Sequence, residues 1–434
     1  MTRLPIRRPS RRGVLSTGAL ASGVLLPAIA AATAADRAID GAVGPVVLGT
    51  PPTGSLWTIH GDGGDTTALW EQALRGIAAA GGGTVQATGE HLISRELTLP
   101  GVATLHIEGV GGAVLRKAAP EREFRLFSGE FSGESPWAGL PVLAFRHLRF
   151  IGDWDARPSM GGDGARCIAV RGYHRVALCG LTAEAFRNMT FSADDCDEVL
   201  VDGCLIRRSA RDAINLTGSR FVKVVNCTIQ HSWDDAIAVH VPRDVTDEGR
   251  RWATLIAHNQ ILQANGIKVL GGREVTIAHN QIVSPNNYGI YLGRDPFWRE
   301  GNVVHRCVVV EGNIVSELLQ NDYLPGQGDV GAGIFLYDPG GRPESVRIMG
   351  NVVAKHKPSG PGVRYSDWRL GAHAGERRLF TADGWTDPEL IHGHQGRGFG
   401  IRILCANALD ETAIAIEANS FANLGWAVER RVET

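Results

Sequence analysis

The stretch Arg211-Asp212-Ala213-Ile214-Asn215-Leu216-Thr217 is answered 23 residues later by Asp234-Asp235-Ala236-Ile237-Ala238-Val239-His240. Aligned on the first apolar residue, the register runs back from Ile214 to Phe191 and Ile168 in steps of 23. It runs forward from Ile237 to Ile267, Ile290 and Ile334 after 30, 23 and 44 residues. Self-similarity at a fixed period of this size marks a solenoid. A 23-residue unit holds only two or three short strands and cannot bury its apolar side alone. Stacking such units about 4.8 Å apart completes both the backbone ladder and the core. The expected fold is therefore all-β, a right-handed parallel β-helix, with its longer intervals carrying outward loops at about 242–252 and 295–330. The period is lost at 357–400, which is expected to be a third loop before the closing strands Ile401–Leu404 and Ala413–Ile416. A doubly wound sheet would need helical patterns between its strands, and none is seen here.

A second column supports the register. Cys204, Cys227, Asn259, Asn280, Asn313 and Asn351 each precede a short apolar pair, and Asn419 follows in the last strand. Stacked Asn side chains can bond up and down such a ladder, and a small buried Cys can stand in for one. That accounts for two of the seven cysteines. An odd number with no Cys-x-x-Cys pair suits neither a disulfide framework nor a structural zinc site.

The composition agrees with many short strands and tight turns: 55 glycines and only 7% aromatics in 434 residues. The N-terminus reads as an export signal, to be set aside before fold reasoning. Ser10-Arg11-Arg12-Gly13-Val14-Leu15 resembles the twin-arginine motif. A weakly apolar run follows, ending in the small-residue pattern Ala32-Thr33-Ala34. The expected layout is a signal peptide at 1–34, a linker at 35–57 and one β-helix domain at 58–434, located in the periplasm or secreted. The partner in export would be the twin-arginine translocase, and the mature chain would have no membrane span. Cleavage after Ala34 would take the formal charge from −2 to −7, because it removes five arginines and no acid. A mildly acidic chain argues against nucleic acid as a partner.

Gly61-Asp62-Gly63-Gly64-Asp65-Thr66-Thr67, a helical pattern over Ala68–Ala80, Gly81-Gly82-Gly83-Thr84-Val85 and Leu97-Thr98-Leu99 follow in order. This run resembles the opening of the pectate-lyase-like (pectin-lyase-like) superfamily. The resemblance implies an N-terminal capping helix, its N-terminus capped by Asp or Thr, followed by the first coil. It implies no single activity, because one fold hosts many.

The period also assembles chemistry. Asp212 and Asp235 stand two residues before Ile214 and Ile237, so they share a column on successive turns, with Asp234 beside them. Crowded carboxylates repel, raise at least one pKa and divide into proton donor and acceptor, as glycoside hydrolysis requires. The pattern resembles the polygalacturonase family, in which an Asp on one turn and an Asp-Asp pair on the next act as general acid and water-activating bases. The resemblance implies those catalytic roles for Asp212, Asp234 and Asp235. Where that family has Gly-His-Gly and Arg-x-Lys, this chain has Asn265-Gly266-Ile267 and Tyr291-Leu292-Gly293. It therefore carries no implication of a galacturonan substrate.

Outward positions of the same strand give Asn215, Ala238, Lys268, Tyr291 and Phe335 in one column, and Thr217, His240, Leu270, Gly293 and Tyr337 in the next. Arg211, His240, Lys268, Tyr291 and Tyr337 are the expected substrate-binding residues. Trp233, Trp252, Trp298 and Tyr323 are available for stacking on sugar rings. His392-Gly393-His394 is a weak metal pattern. Three functions follow. The first is an acid/base glycoside hydrolase on a polysaccharide or oligosaccharide, with no cofactor. The second is a polysaccharide lyase or uronate epimerase, with Ca²⁺ on the acids and Lys268 or an Arg as base. The third is a non-catalytic carbohydrate-binding or surface-structural β-helix.

Overall fold

The computed structural model describes residues 55–119, 123–131, 141–156, 161–242, 252–285, 288–294, 304–318, 332–355, 399–422, 424 and 426–432. The chain coils through three strands per turn, as in Arg175–Cys179, Thr182–Phe186 and Phe191–Asp194. The first two strands of each turn join a 22-stranded sheet, and the third joins an 11-stranded sheet. Every strand pairs in parallel with its counterpart one turn away. The pairing is Ile168↔Phe191↔Ile214↔Ile237↔Ile267↔Ile290↔Ile334, continued at the N-terminal end by Leu97 and Phe127 and at the other by Ile401. These are the columns expected from the period, and the seven members from Ile168 to Ile334 are fully buried. Each such side chain contributes roughly 1.5–3 kcal/mol relative to exposure.

Corners set the coil's shape. The residue before each ladder position is left-handed: Gly180, Gly203, Asn226, His258, His279, Gly312, Gly350 and Ala418 have φ of 53–63°. Glycine and asparagine take that conformation readily, whereas Ala418 carries a Cβ penalty. The bend turns the next residue inward, where Asn259, Asn280, Asn313 and Asn351 are buried. Each donates from Nδ2 to the Oδ1 of the next at 2.9–3.0 Å, ending on Asn419. Cys204 and Cys227 continue the column as buried thiols donating to backbone carbonyls, and all seven cysteines are free.

At the N-terminal end, helix α1 (Thr67–Ala79) buries Trp70, Ala73, Leu74 and Ile77. Trp70 meets Phe127 edge to face, and Phe127 meets Phe145 likewise, so aromatic volume closes an end that would otherwise expose core. The cap comes from Asp65, whose Oδ1 accepts the Thr67 N–H at 2.9 Å. Thr66 makes no capping bond, and its hydroxyl meets His91 Nδ1 at 3.0 Å instead.

Three expectations need correction. The first strand, Ser55–Asp65, pairs with Gly83–Ile93 and contains most of the Gly-Asp-Gly run, so the coil begins inside the expected linker. The interval 295–330 is not a single loop, because Arg306–Glu311 and Ile314–Leu318 inside it are strands of the larger sheet. Trp252 does not wall a groove; it is 3% exposed and packs with Val241. Residues 1–54, Trp298, Tyr323, His392 and His394 lie outside the described residues. Among the described residues no helix is long and apolar enough to cross a membrane.

Candidate active site

Where the chain enters the 11-stranded sheet, two consecutive residues turn inward, such as Ala213-Ile214 and Ala236-Ile237. The first of the pair is alanine on these two turns and glycine on the next. A Cβ on Gly266 would lie 1.7 Å from the Gly289 carbonyl oxygen. The residue just before this pair is left on the outer side of the sheet. Asp212, Asp235, Asn265 and Tyr288 occupy that position on four successive turns.

Three carboxylates therefore converge. Oxygens of Asp212, Asp234 and Asp235 lie within 4.8 Å of one another, with Asp212 and Asp235 buried and Asp234 half-buried. The Asp235 N–H donates to Asp212 Oδ1 at 3.3 Å, and Asn215 Nδ2 donates to Asp212 Oδ2 at 2.7 Å. Burial pushes the Asp212 carboxyl well above the usual range, and the charges of Asp234 and Asp235 push it further. Asp235 is raised to about 6, by burial first and by Asp234, against the opposing pull of Lys268 and the Tyr288 hydroxyl. Lys268 Nζ sits 3.2 Å from Asp235 Oδ2, and Tyr288 donates its hydroxyl to Asp235 Oδ1 at 2.5 Å. The Asp235 charge holds the Lys268 ammonium above its ordinary value. Burial and the Asp235 charge push the Tyr288 phenol up. Burial and like charge thus raise both carboxyls, with Asp235 held at about 6 by the counter-charge of Lys268.

The other expected residues divide. Ala238↔Lys268↔Tyr291↔Phe335 are paired as the register requires, as are His240↔Leu270↔Gly293↔Tyr337. His240 shares the outer face, but burial and Lys268 lower its pKa to about 3, so it stays neutral in ordinary buffers. Tyr291 and Tyr337, both half-buried, flank Phe335 at ring distances of 5.4 and 5.6 Å, with Arg402 over Phe335. Arg211 is exposed, and among the described residues it forms no ion pair. Trp233 packs with Trp154, Ala185 and Ala210.

Tyr288 and Asn215 were not singled out from the sequence, although both touch the acids. Tyr288 was legible in principle, standing two residues before Ile290 as Asp235 stands before Ile237.

A model of the right-handed β-helix region family matches residues 163–292 and 191–370. Among solved structures, the chain is similar to a polygalacturonase from Erwinia carotovora ssp. carotovora. Identity is 12%, coverage is 90% of this chain and 99% of that one, and the TM-score is 0.51. It is also similar to the catalytic domain of an α-1,3-glucanase in complex with nigerose. Here identity is 13%, coverage is 89% of this chain and 70% of that one, and the TM-score is 0.54. No curated protein sequence matches it.

Proposed function

We propose that this right-handed parallel β-helix is an exported glycoside hydrolase acting on a polysaccharide. The observation that carries this reading is the division of labour among converged carboxylates. Asp212 is pushed well above the usual carboxylate range by burial and its acidic neighbours while Lys268 holds Asp235 at about 6, the pairing a proton donor and an acceptor need. Asp212 would protonate the glycosidic oxygen. Asp235, oriented by Lys268 and Tyr288, would take a proton from the attacking water, with the more exposed Asp234 beside it. The solved complex of the glucanase with a sugar supports a carbohydrate ligand on this fold.

Lys268 favours hydrolysis over elimination. A lysine whose ammonium is stabilised by a buried carboxylate is a poor base for the C5 proton of a uronate. Its charge also stands on Asp235, where a divalent ion such as Ca²⁺ would have to bind. Export by the twin-arginine route, to the periplasm or beyond, follows from the N-terminal motif.

A panel of neutral and acidic glycans, read by both reducing ends and absorbance at about 235 nm, tests the proposal. New reducing ends without absorbance are expected. Asp235→Asn should lower turnover about 10²–10⁴-fold while the coil stays folded. Unsaturated products would move the protein to the lyases. Binding without turnover would place it among non-catalytic sugar-binding β-helices.

A further inference from the structure

The outward column that carries Lys268 changes character along the molecule. Toward the N-terminus it reads Thr98, Ser128, Ala169, Ser192, Asn215 and Ala238, all small, and from Lys268 onward it turns long and aromatic. On the small-residue side lies a cavity of about 520 Å³ over Thr98, Ser128 and Ala169, a volume in the range of small-ligand sites. Its floor is two to four ladder steps from Asn215, whose amide bonds Asp212, or roughly 10–19 Å. No residue of the proposed acid/base chemistry lines it.

Charge decides what such a cavity accepts. Arg125, Arg166 and Arg171 line it. So do Glu96, Glu130, Asp163 and Asp194, leaving carboxylates one ahead of guanidiniums. Two of the arginines are already committed. Arg166 pairs with Asp163 at 2.9 Å and donates to Ser192 Oγ, and Arg171 pairs with Asp195 at 2.7 Å. Glu96 is likewise held, accepting the Ser128 hydroxyl at 2.5 Å. Among the described residues, the half-buried Arg125 guanidinium and the exposed Glu130 carboxylate enter no ion pair. They leave one donor group and one acceptor group lining the space. The acids at the active site exceed Lys268 in the same sense. An anionic sugar would meet net negative charge at both ends, whereas a ring bearing only hydroxyls can donate to a carboxylate and accept from a guanidinium.

We propose that this cavity is a second sugar-binding site for an uncharged sugar residue, so that the substrate is a neutral glycan chain spanning from the cavity to the acids. The inference rests on reading the acids as a sugar-processing site. It deepens that reading by assigning the substrate class, and its test is made on binding alone.

The test uses the full chain carrying Asp235→Asn, titrated calorimetrically with a length series of neutral gluco-, manno- and xylo-oligosaccharides and with a matching galacturonate series. At least one neutral series should bind more tightly as it lengthens, and galacturonates should bind more weakly at every length. Adding Arg125→Ala or Glu130→Ala should weaken the longest neutral oligomer about tenfold and leave the shortest unchanged. An unchanged thermal melt establishes that the coil is intact. Tighter binding of galacturonates, no binding of any neutral series, or indifference to both cavity substitutions overturns the inference. Length-dependent neutral binding in a protein whose wild type turns nothing over overturns hydrolysis and leaves the inference standing.

Discussion

Along one corner of the coil Asn259, Asn280, Asn313, Asn351 and Asn419 stack. Along the entrance to the smaller sheet Asp212, Asp235, Asn265 and Tyr288 stack with the same spacing. The first column is neutral and complete. Asn313, for example, donates to Asn351 Oδ1 and the Ile277 carbonyl and accepts from both the N–H and the side chain of Asn280. The second puts like charges one rung apart, so its proton affinities rise and it recruits Lys268 and Tyr288. Repetition of a group that both donates and accepts builds a satisfied ladder. Repetition of an anion builds a strained cluster with shifted proton affinities, which is where chemistry is expected.

Interrupting the satisfied column should have the largest effect on stability. Asn313→Ala orphans the Asn280 N–H and amide in the interior. It should cost about 3–5 kcal/mol in chemical denaturation. A loss below about 1 kcal/mol would mean that water or relaxation replaces the ladder and would remove the contrast.

The strained column should show the opposite sign. A carboxyl whose folded pKa is raised binds its proton more tightly when folded, so stability falls as pH climbs from the unfolded value near 4 through the folded one. With Asp235 at about 6, its share of the fall is up to about 3 kcal/mol, complete by neutral pH. Asp212→Asn should flatten the fall in wild-type stability that begins near pH 4 and leave stability below that pH little changed. Parallel profiles for the two proteins would contradict the assignment of a raised pKa to Asp212.

Smaller still is the effect of the recruited cation. Lys268→Met removes the charge that lowers the Asp235 pKa, so the acid limb of the activity profile should move upward from about 6. A limb that stays put would show that Asp235 does not control it. The smallest change is expected where thiols continue the asparagine column. Cys227→Ala leaves the Cys227 N–H bonded to Asn259 Oδ1 at 2.9 Å and should cost only about 1–2 kcal/mol by denaturation. A loss as large as that of Asn313→Ala would make the thiol an equal member of the ladder.

The coil, its register and the meeting of the three aspartates were legible in the sequence. Parallel strands stack in register, so a period in residues becomes a column in space. Ile214 above Ile237 and Asp212 above Asp235 follow from counting. What counting could not supply is whatever reaches the column from elsewhere or depends on burial. Tyr288 bonds Asp235 from two turns away because its long side chain spans the Asn265 rung. The N-terminal cavity draws Glu96, Arg125 and Asp163 from connections of irregular length, which no period aligns. Trp252 sat where a loop was expected, yet it is buried against Val241. By itself the sequence determined which residues are neighbours, because backbone hydrogen bonding between identical turns enforces a single register. Only the tertiary structure decided which of those neighbours have their proton affinity raised and where an empty space lies. Desolvation and cavity shape depend on every side chain packed around a group, whatever its place in the repeat.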